Sequence, residues 1–488
     1  MDEALADEQS PASLLLELPN PCLMAVLQLC AKEQRSLFSA ARAHSRLHQA
    51  VVALSSFTAV VPQQQQLDGV YSYLNKHGQH LDSISLGGHW DGSVSLRELP
   101  AHLQLSSMQL GQLCLQLLPT PSASWGQWQQ LSGRGAPYIG HRGVLSNAAT
   151  SALKQLRLNA CQLIDGYEGL AAALPIGLEH LSIVGARPTR LQFAAPTLGF
   201  PTKALEALQQ LTFLQLGNMC LQGPDRDTPT LQTLQALTRL VDLRIDASAE
   251  VRIHARMLSS MCCLTHLRLH RCKIEQGTLA GRTQLQHVSL VQCEWADGAA
   301  WLAQMLSYLQ HMQQLTHLCL DASLKTINDT NPPAAAFSAL TASSKLQHLG
   351  VNSCMLPEGV WHHVFPSGRQ LPHLRSLNIS RVQHPPLPGD RAAAPEGSRL
   401  VSCCPGLQYL NMEDVQYCYD SGKHLGQTNL DTGVCLLTEL RELSLSASAR
   451  AAGLLLQLTQ LQNLTRLEYS GPSSDGYPIY EIFDAWVS

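Results

Sequence analysis

Apolar positions recur along most of the chain in one short cassette. Two leucines stand three residues apart, a third follows two later, and a small or polar residue closes the run after three more. Leu153, Leu156, Leu158 and Cys161 set the pattern; the stretches LTHLRLHRC from Leu264, LQHVSLVQC from Leu285 and LQHLGVNSC from Leu346 repeat it. Looser copies start at Leu81, Leu178, Leu211, Leu240, Leu315, Leu374, Leu407, Leu440 and Leu464, with a degenerate one near Leu105 to Leu115. That makes about fourteen copies at spacings of roughly 20 to 35 residues. Inside the cassette the alternation predicts a short strand with its leucines turned inward. Between cassettes, as in Ala204 to Thr212 and Leu231 to Thr238, leucines every three or four residues predict helical or 3₁₀ segments with one apolar face. The stretches Pro119 to Gly143 and Pro385 to Ser398, rich in Gly, Pro, Ser and Ala, are expected to project as loops.

The cassette resembles the leucine-rich repeat, in the variant that carries Cys where the chain leaves the strand. The resemblance implies an α/β fold: a curved leucine-rich-repeat solenoid with parallel strands on the concave face, here over residues 70–470. Cys161, Cys272, Cys293 and Cys354 take the turn position and are read as structural. Tyr480, Ile482, Phe483 and Trp486 concentrate aromatics in a chain poor in them, which predicts a closing cap over 471–488.

Residues between the inward leucines face the concave side, the usual binding surface of a solenoid. Candidate partner-binding residues there are Arg157, His180, Phe213, Arg244, His266, Arg268, His270, His287, His317, His348 and Tyr409. His266, His287, His317 and His348 fall at one offset in successive copies, so their rings should stand at the strand spacing of about 4.8 Å. Arg157, Arg244, Arg268 and His270 beside them read as a modestly basic patch. Three readings follow: a partner-binding strip, pH-sensitive because imidazole titrates at about 6.5; a metal chelate; or duplication of an LTHL or LQHL cassette without chemical purpose. A chelate would also want partners orienting each imidazole, which the sequence does not supply, so no metal site is assigned and a zinc or nickel titration is expected to show no tight stoichiometric binding.

Residues 13–56 differ from the rest. Leu18-Pro19-Asn20-Pro21 opens a helix with Leu23, Val26, Leu27 and Cys30 on one face, and two further short helices follow, over Arg35 to Ala43 and Ser45 to Leu54. This order of a Leu-Pro opening, an apolar helix, Arg-Ser-Leu-Phe-Ser-Ala-Ala-Arg and Ser-Arg-Leu-His resembles the F-box over about 40 residues, with Leu47 where many F-boxes carry Trp. The resemblance implies docking to a Skp-family adaptor and through it a cullin complex, with Leu18, Pro19, Leu23, Val26 and Leu27 supplying adaptor-facing and core positions. The alternative is an amphipathic cap on the first repeat. Residues 1–12 are expected to form a tail and 57–69, with the glutamines 63 to 66, a linker.

Composition narrows the function classes. Charged residues make up 14% against about 25% in ordinary soluble domains, and 33 basic against 37 acidic residues give −4. No global positive field draws nucleic acid or an anionic membrane. The acidic start, Met1-Asp2-Glu3, is unlike a secretory or transit peptide, which predicts a cytoplasmic or nuclear protein with its fifteen cysteines reduced and buried by default. No Cys-x-x-Cys, Walker loop, HExxH, GxSxG or kinase signature is present; the expectation is a non-enzymatic interaction protein without cofactors. It would be a substrate-recognition subunit of an SCF-type ubiquitin ligase or, alternatively, a cytoskeletal or ciliary scaffold.

Overall fold

The computed structural model describes residues 18–20, 22–23, 26–27, 47, 50, 56–61, 64–77, 83–88, 107–111, 115–116, 130–134, 138–140, 154–163, 174–185, 202–219, 232–295, 299–324, 332–357, 359–384, 397–413, 416–417, 432–446, 458, 460–472 and 478–484. They belong to two compact units, Met1–Asn218 and Met219–Ser488.

In the first unit the main ladder runs through β1 (Ser56–Val61), β2 (Ser83–Gly88), β3 (Ser107–Gly111), β4 (Gln130–Arg134), β5 (Gln155–Leu163), β6 (His180–Gly185) and β7 (Phe213–Met219). Each pairs in parallel with the next. In the second unit the ladder runs through β8 (Asp242–Ile253), β9 (His266–Ile274), β10 (His287–Val291), β11 (His317–Cys319), β12 (His348–Gly350), β13 (Ser376–Asn378), β14 (Tyr409–Met412), β15 (Glu442–Ser446) and β16 (Arg466–Pro472). These too are parallel in succession. β17 (Pro478–Asp484) then lies antiparallel along β16 and covers the backbone edge that a further repeat would use.

Strand register explains the leucine period. Leu243, Leu267, Val288, Leu318, Leu349, Leu377, Leu410, Leu443 and Leu467 are Cα partners from strand to strand, and none is more than 1% exposed. Each such side chain contributes roughly 2 kcal/mol of burial, and a one-residue slip would turn the whole column outward. Behind the strands the predicted helical faces form 3₁₀ turns at Thr202–Ala207 and Gln232–Ala236, and the helix Ala299–Gln310 buries Trp301, Leu302, Met305, Leu306 and Leu309.

The chain leaves β9 to β13 through a left-handed residue. Arg271, Gln292, Ala322, Ser353 and Arg381 all have φ between 52° and 55°, and each directly precedes the turn position. There the Cys293 thiol donates to Leu269 O at 3.3 Å and the Cys354 thiol to Leu320 O at 3.1 Å, both carbonyls of the preceding strand segment. Burial pushes both thiols up to about 12, so they stay protonated donors. Ser323 fills the same slot in the copy from Leu315: its hydroxyl donates to Leu290 O at 2.7 Å and accepts from Cys293 N–H at 2.9 Å. Cys161 lies in β5; its side chain is outside the described residues.

Two sequence expectations are corrected. The expected linker 57–69 is instead β1 followed by the helix Gln64–His77, because glutamine supports a helix and Leu67, Val70, Tyr71 and Leu74 keep helical spacing; Leu74 is fully buried. The expected loop Pro119 to Gly143 contains β4, which pairs β3 on one side and β5 on the other. Backbone hydrogen bonding recruits this strand although it carries a single leucine, Leu131. The ladder thus begins at Ser56 rather than residue 70. Most of the Pro385 to Ser398 stretch lies outside the described residues, as do Trp486, Cys30 and nearly all of the second and third N-terminal helices.

Candidate functional site

Strand alternation places the eleven candidate residues. With Leu267 and Leu269 buried, His266, Arg268 and His270 stand on the open side of β9, and their partners follow on neighbouring strands. The candidates divide between the two units. In the first, the His180 ring stacks on Phe213 at 3.9 Å between centroids, nearly parallel at 3°, and Arg157 Nε donates to His180 Nε2 at 3.0 Å. The second unit holds the other eight.

There the histidines form a continuous stack. His266, His287, His317 and His348 are Cα partners across β9 to β12. Ring centroids lie 5.7 Å apart for His266 and His287, 3.8 Å for His287 and His317, and 4.1 Å for His317 and His348. The last two contacts are closer than the strand spacing of about 4.8 Å, so the rings have tilted into van der Waals contact. Hydrogen bonds anchor the ends: His266 Nδ1 meets Thr265 Oγ1 at 2.8 Å, and His348 Nδ1 meets Ser376 Oγ at 2.8 Å. Arg268 Nη2 lies 3.2 Å from His287 Nε2. As arginine can only donate, that nitrogen accepts, and the ring's proton sits on Nδ1, a buried atom without a hydrogen-bond partner.

Three of the four rings are held toward the uncharged form. Burial, the neighbouring imidazoles and the Arg268 charge lower His287 to about 4 and His317 to about 3, and burial lowers His348 as well. The expectation of titration near 6.5 therefore fails for His287, His317 and His348: ordinary imidazole values need a solvated ring, and here His287 and His317 have both faces, and His348 one face, against a neighbouring ring.

The basic patch is corrected too. Arg244 is held by Asp242 through its Nη2 at 2.7 Å and its Nε at 3.1 Å to Oδ1 and 3.2 Å to Oδ2, and His270 Nδ1 contacts Asp246 Oδ1 at 2.6 Å. Arg157 belongs to the first unit. Arg268 instead lies against the imidazole of His287; desolvation and the Arg244 charge lower its pKa. At the far side Tyr409 accepts from Asn411 Nδ2 at 3.3 Å.

The sequence reading covers the outward position of Cys319 and Gly350 but stops short of Asp321, two residues further along the chain than Cys319. Cys319 and Asp321 flank Gly350, where an added Cβ would come within 3.1 Å of Asp321 Oδ1 and 3.4 Å of both Cys319 Sγ and His348 Nε2. Gly350 is what lets these three groups converge. Asp321 accepts from Asn352 N–H at 2.9 Å, and burial raises its pKa. The signal was available one position beyond the third leucine of each copy. Among the described residues no group of three His, Cys, Asp or Glu side chains is arranged to hold a metal ion, and no helix is long and apolar enough to cross a membrane.

At the N-terminus Leu23 and Leu27 are buried at 1% and 3% exposure, Leu18 and Val26 are half-buried, and Pro19 is exposed. Of the five residues expected to supply adaptor-facing and core positions, Leu23 and Leu27 are thus buried. Cys22, Cys262 and Cys263 are exposed, contrary to the expectation of buried thiols, because the first lies on the outer side of its helix and the others in a surface turn.

The buried leucine column, the parallel ladder and the thiol or hydroxyl at the exits of β10, β11 and β12 define a protein with a leucine-rich-repeat fold. No family model matches the chain and no curated protein is similar enough to be matched. Among solved structures it is similar to a leucine-rich-repeat protein of Leptospira interrogans, at 16% identity and a TM-score of 0.46 over 82% of this chain and 88% of that one. It is also similar to an internalin of Listeria monocytogenes, at 16% and 0.43 over 68% and 78%. The Toll–Spatzle complex of Drosophila matches at 13% and 0.43, over 86% of this chain and 55% of that one.

Proposed function

We propose that the chain is a non-catalytic interaction protein that holds a protein partner on the open face of β9 to β12. The observation that carries this reading is the imidazole stack: four rings in register on hydrogen-bonded strands, the last three in contact at 3.8 and 4.1 Å, with Arg268 beside them. Rigid, half-buried ring edges give a partner contact area at little entropic cost. The test is affinity capture with the full chain. Arg268→Glu combined with His348→Glu is expected to lower recovery of a captured protein at least tenfold, while His362→Glu, on an exposed connector residue, leaves it unchanged. Equal recovery by all three proteins contradicts the reading.

The finer reading is a substrate-recognition subunit of an SCF-type ligase, with the N-terminal helices docking a Skp-family adaptor. The Leu-Pro opening and the helix that follows it support this. The burial of Leu23 and Leu27 is equally compatible with a second reading, a scaffold whose N-terminal helices only cap the repeats. Purified adaptor distinguishes them. Docking predicts binding by the full chain, lost in Pro19→Asp or Val26→Asp with unchanged circular dichroism; absence of binding by the wild-type chain leaves the scaffold. Leu23→Asp is uninformative here, since it unfolds the helix packing it sits in.

A further inference from the structure

One repeat breaks the pattern of the turns that lead into the strands. In the second unit a hydrogen bond of β-turn type precedes strand after strand, such as Leu240 N to Leu237 O at 3.2 Å, Leu264 N to Met261 O at 3.2 Å and Leu315 N to Met312 O at 3.1 Å. The first and last residues of these turns are buried and the two central ones face solvent. Those central slots hold polar pairs, Thr238-Arg239 in one turn and Gln313-Gln314 in another. In the turn into β9 both are cysteine: Cys262 and Cys263 are exposed, with sulfurs 3.9 Å apart. The described cysteines of this unit otherwise lie buried.

The surroundings suit thiol exchange. Cys262 Sγ rests 3.8 Å from Thr238 O, Gln284 Nε2 holds Cys262 O at 3.3 Å, and the Arg239 charge acts on Cys263 in the sense that favours a thiolate. Its hydrogen bond with Cys262, the largest influence, raises Cys263 instead, and either sulfur of the pair can donate in their 3.9 Å contact.

We propose that Cys262 and Cys263 form a reversible redox site that closes to a vicinal disulfide by exchange with a low-molecular-weight disulfide of the glutathione type. The Cys262 thiolate attacks one sulfur of glutathione disulfide, making a mixed disulfide and expelling one glutathione thiolate, which takes up a proton. Cys263, deprotonated in turn, attacks the Cys262 sulfur and expels the second glutathione. Two thiols are oxidised to one disulfide and one glutathione disulfide is reduced to two glutathiones, so atoms and electrons balance. Intramolecular closure outruns a second exchange because the attacking thiol is already within the turn. Cys22, exposed on the N-terminal helix, is the internal comparison.

The experiment incubates the full-length protein with glutathione disulfide over a range of redox ratios, traps free thiols by alkylation and maps the tryptic peptide Met257 to Arg268 by mass. The expected result is loss of two hydrogens from that peptide, reversal by dithiothreitol, and persistent glutathionylation of Cys22. Cys263→Ser, a substitution at an exposed position that leaves the fold intact, should instead retain one glutathione on Cys262. A wild-type pair that keeps glutathione, bonds to another cysteine of the chain, or stays as two thiols over the whole range overturns the proposal.

Discussion

Replacing Ser323 by alanine is expected to destabilise the second unit by about 2–4 kcal/mol, whereas Ser323→Cys should cost under about 1 kcal/mol. Ser323 is 1% exposed, and its hydroxyl accepts from Cys293 N–H and donates to Leu290 O. Alanine strands both backbone groups where water cannot reach them. Cysteine restores a donor to the carbonyl, as Cys354 does to Leu320 O in the next copy. Urea unfolding followed by circular dichroism measures the loss, and hydrogen exchange of the Cys293 amide localises it. An alanine variant as stable as wild type would show that the strand exit does not depend on this bond.

Acid is expected to act through the imidazole stack. In the unfolded chain an imidazole takes its proton at about 6.5; in the fold His287 does so only near 4 and His317 near 3. Between those values the unfolded chain binds more protons, so stability falls as pH falls. The stabilisation is intact above about 6.5 and is lost progressively as pH drops through the folded values. Solvent on the open side screens part of the penalty, leaving on the order of 2–4 kcal/mol for the two rings together. The charges facing them explain why neighbours do not rescue the proton: Arg268 and Arg244 oppose it at His287, and Asp242, already bound to Arg244, favours it only weakly. His317→Phe keeps a ring in the stack without a titrating group, so its stability should decline less steeply between about pH 6.5 and 3 than that of wild type. Parallel acid limbs would mean that other groups carry the pH dependence.

Much of this was legible in the residues. The cassette offset alone put His266, His287, His317 and His348 on adjacent strands, because a parallel ladder of copies preserves offset as register. The buried column from Leu243 to Leu467 follows from the same rule. What the offset could not convey is side-chain geometry. Arg244 and Asp242 are two apart on one strand, and only the rotamers reveal that they close on each other and dissolve the basic patch. The lowered imidazole pKa values arise from ring contacts tighter than the strand spacing. β1 and β4 were missed because backbone pairing, not leucine, recruits them, and Ser323 because a search for cysteine at the strand exit passes over a hydroxyl that does the same work. The left-handed residues carry no sequence signature at all: Arg, Gln, Ala and Ser occupy the same strained position.

The central claim is that the imidazole stack is the contact surface for a protein partner. Histidine modification by diethyl pyrocarbonate, read residue by residue on the free chain and on the chain bound to its captured partner, tests it most directly. The account predicts that modification of His266, His287, His317 and His348 falls in the complex while the exposed His362 and His373 react as before. Unchanged modification of the four stacked rings in the presence of bound partner would contradict it.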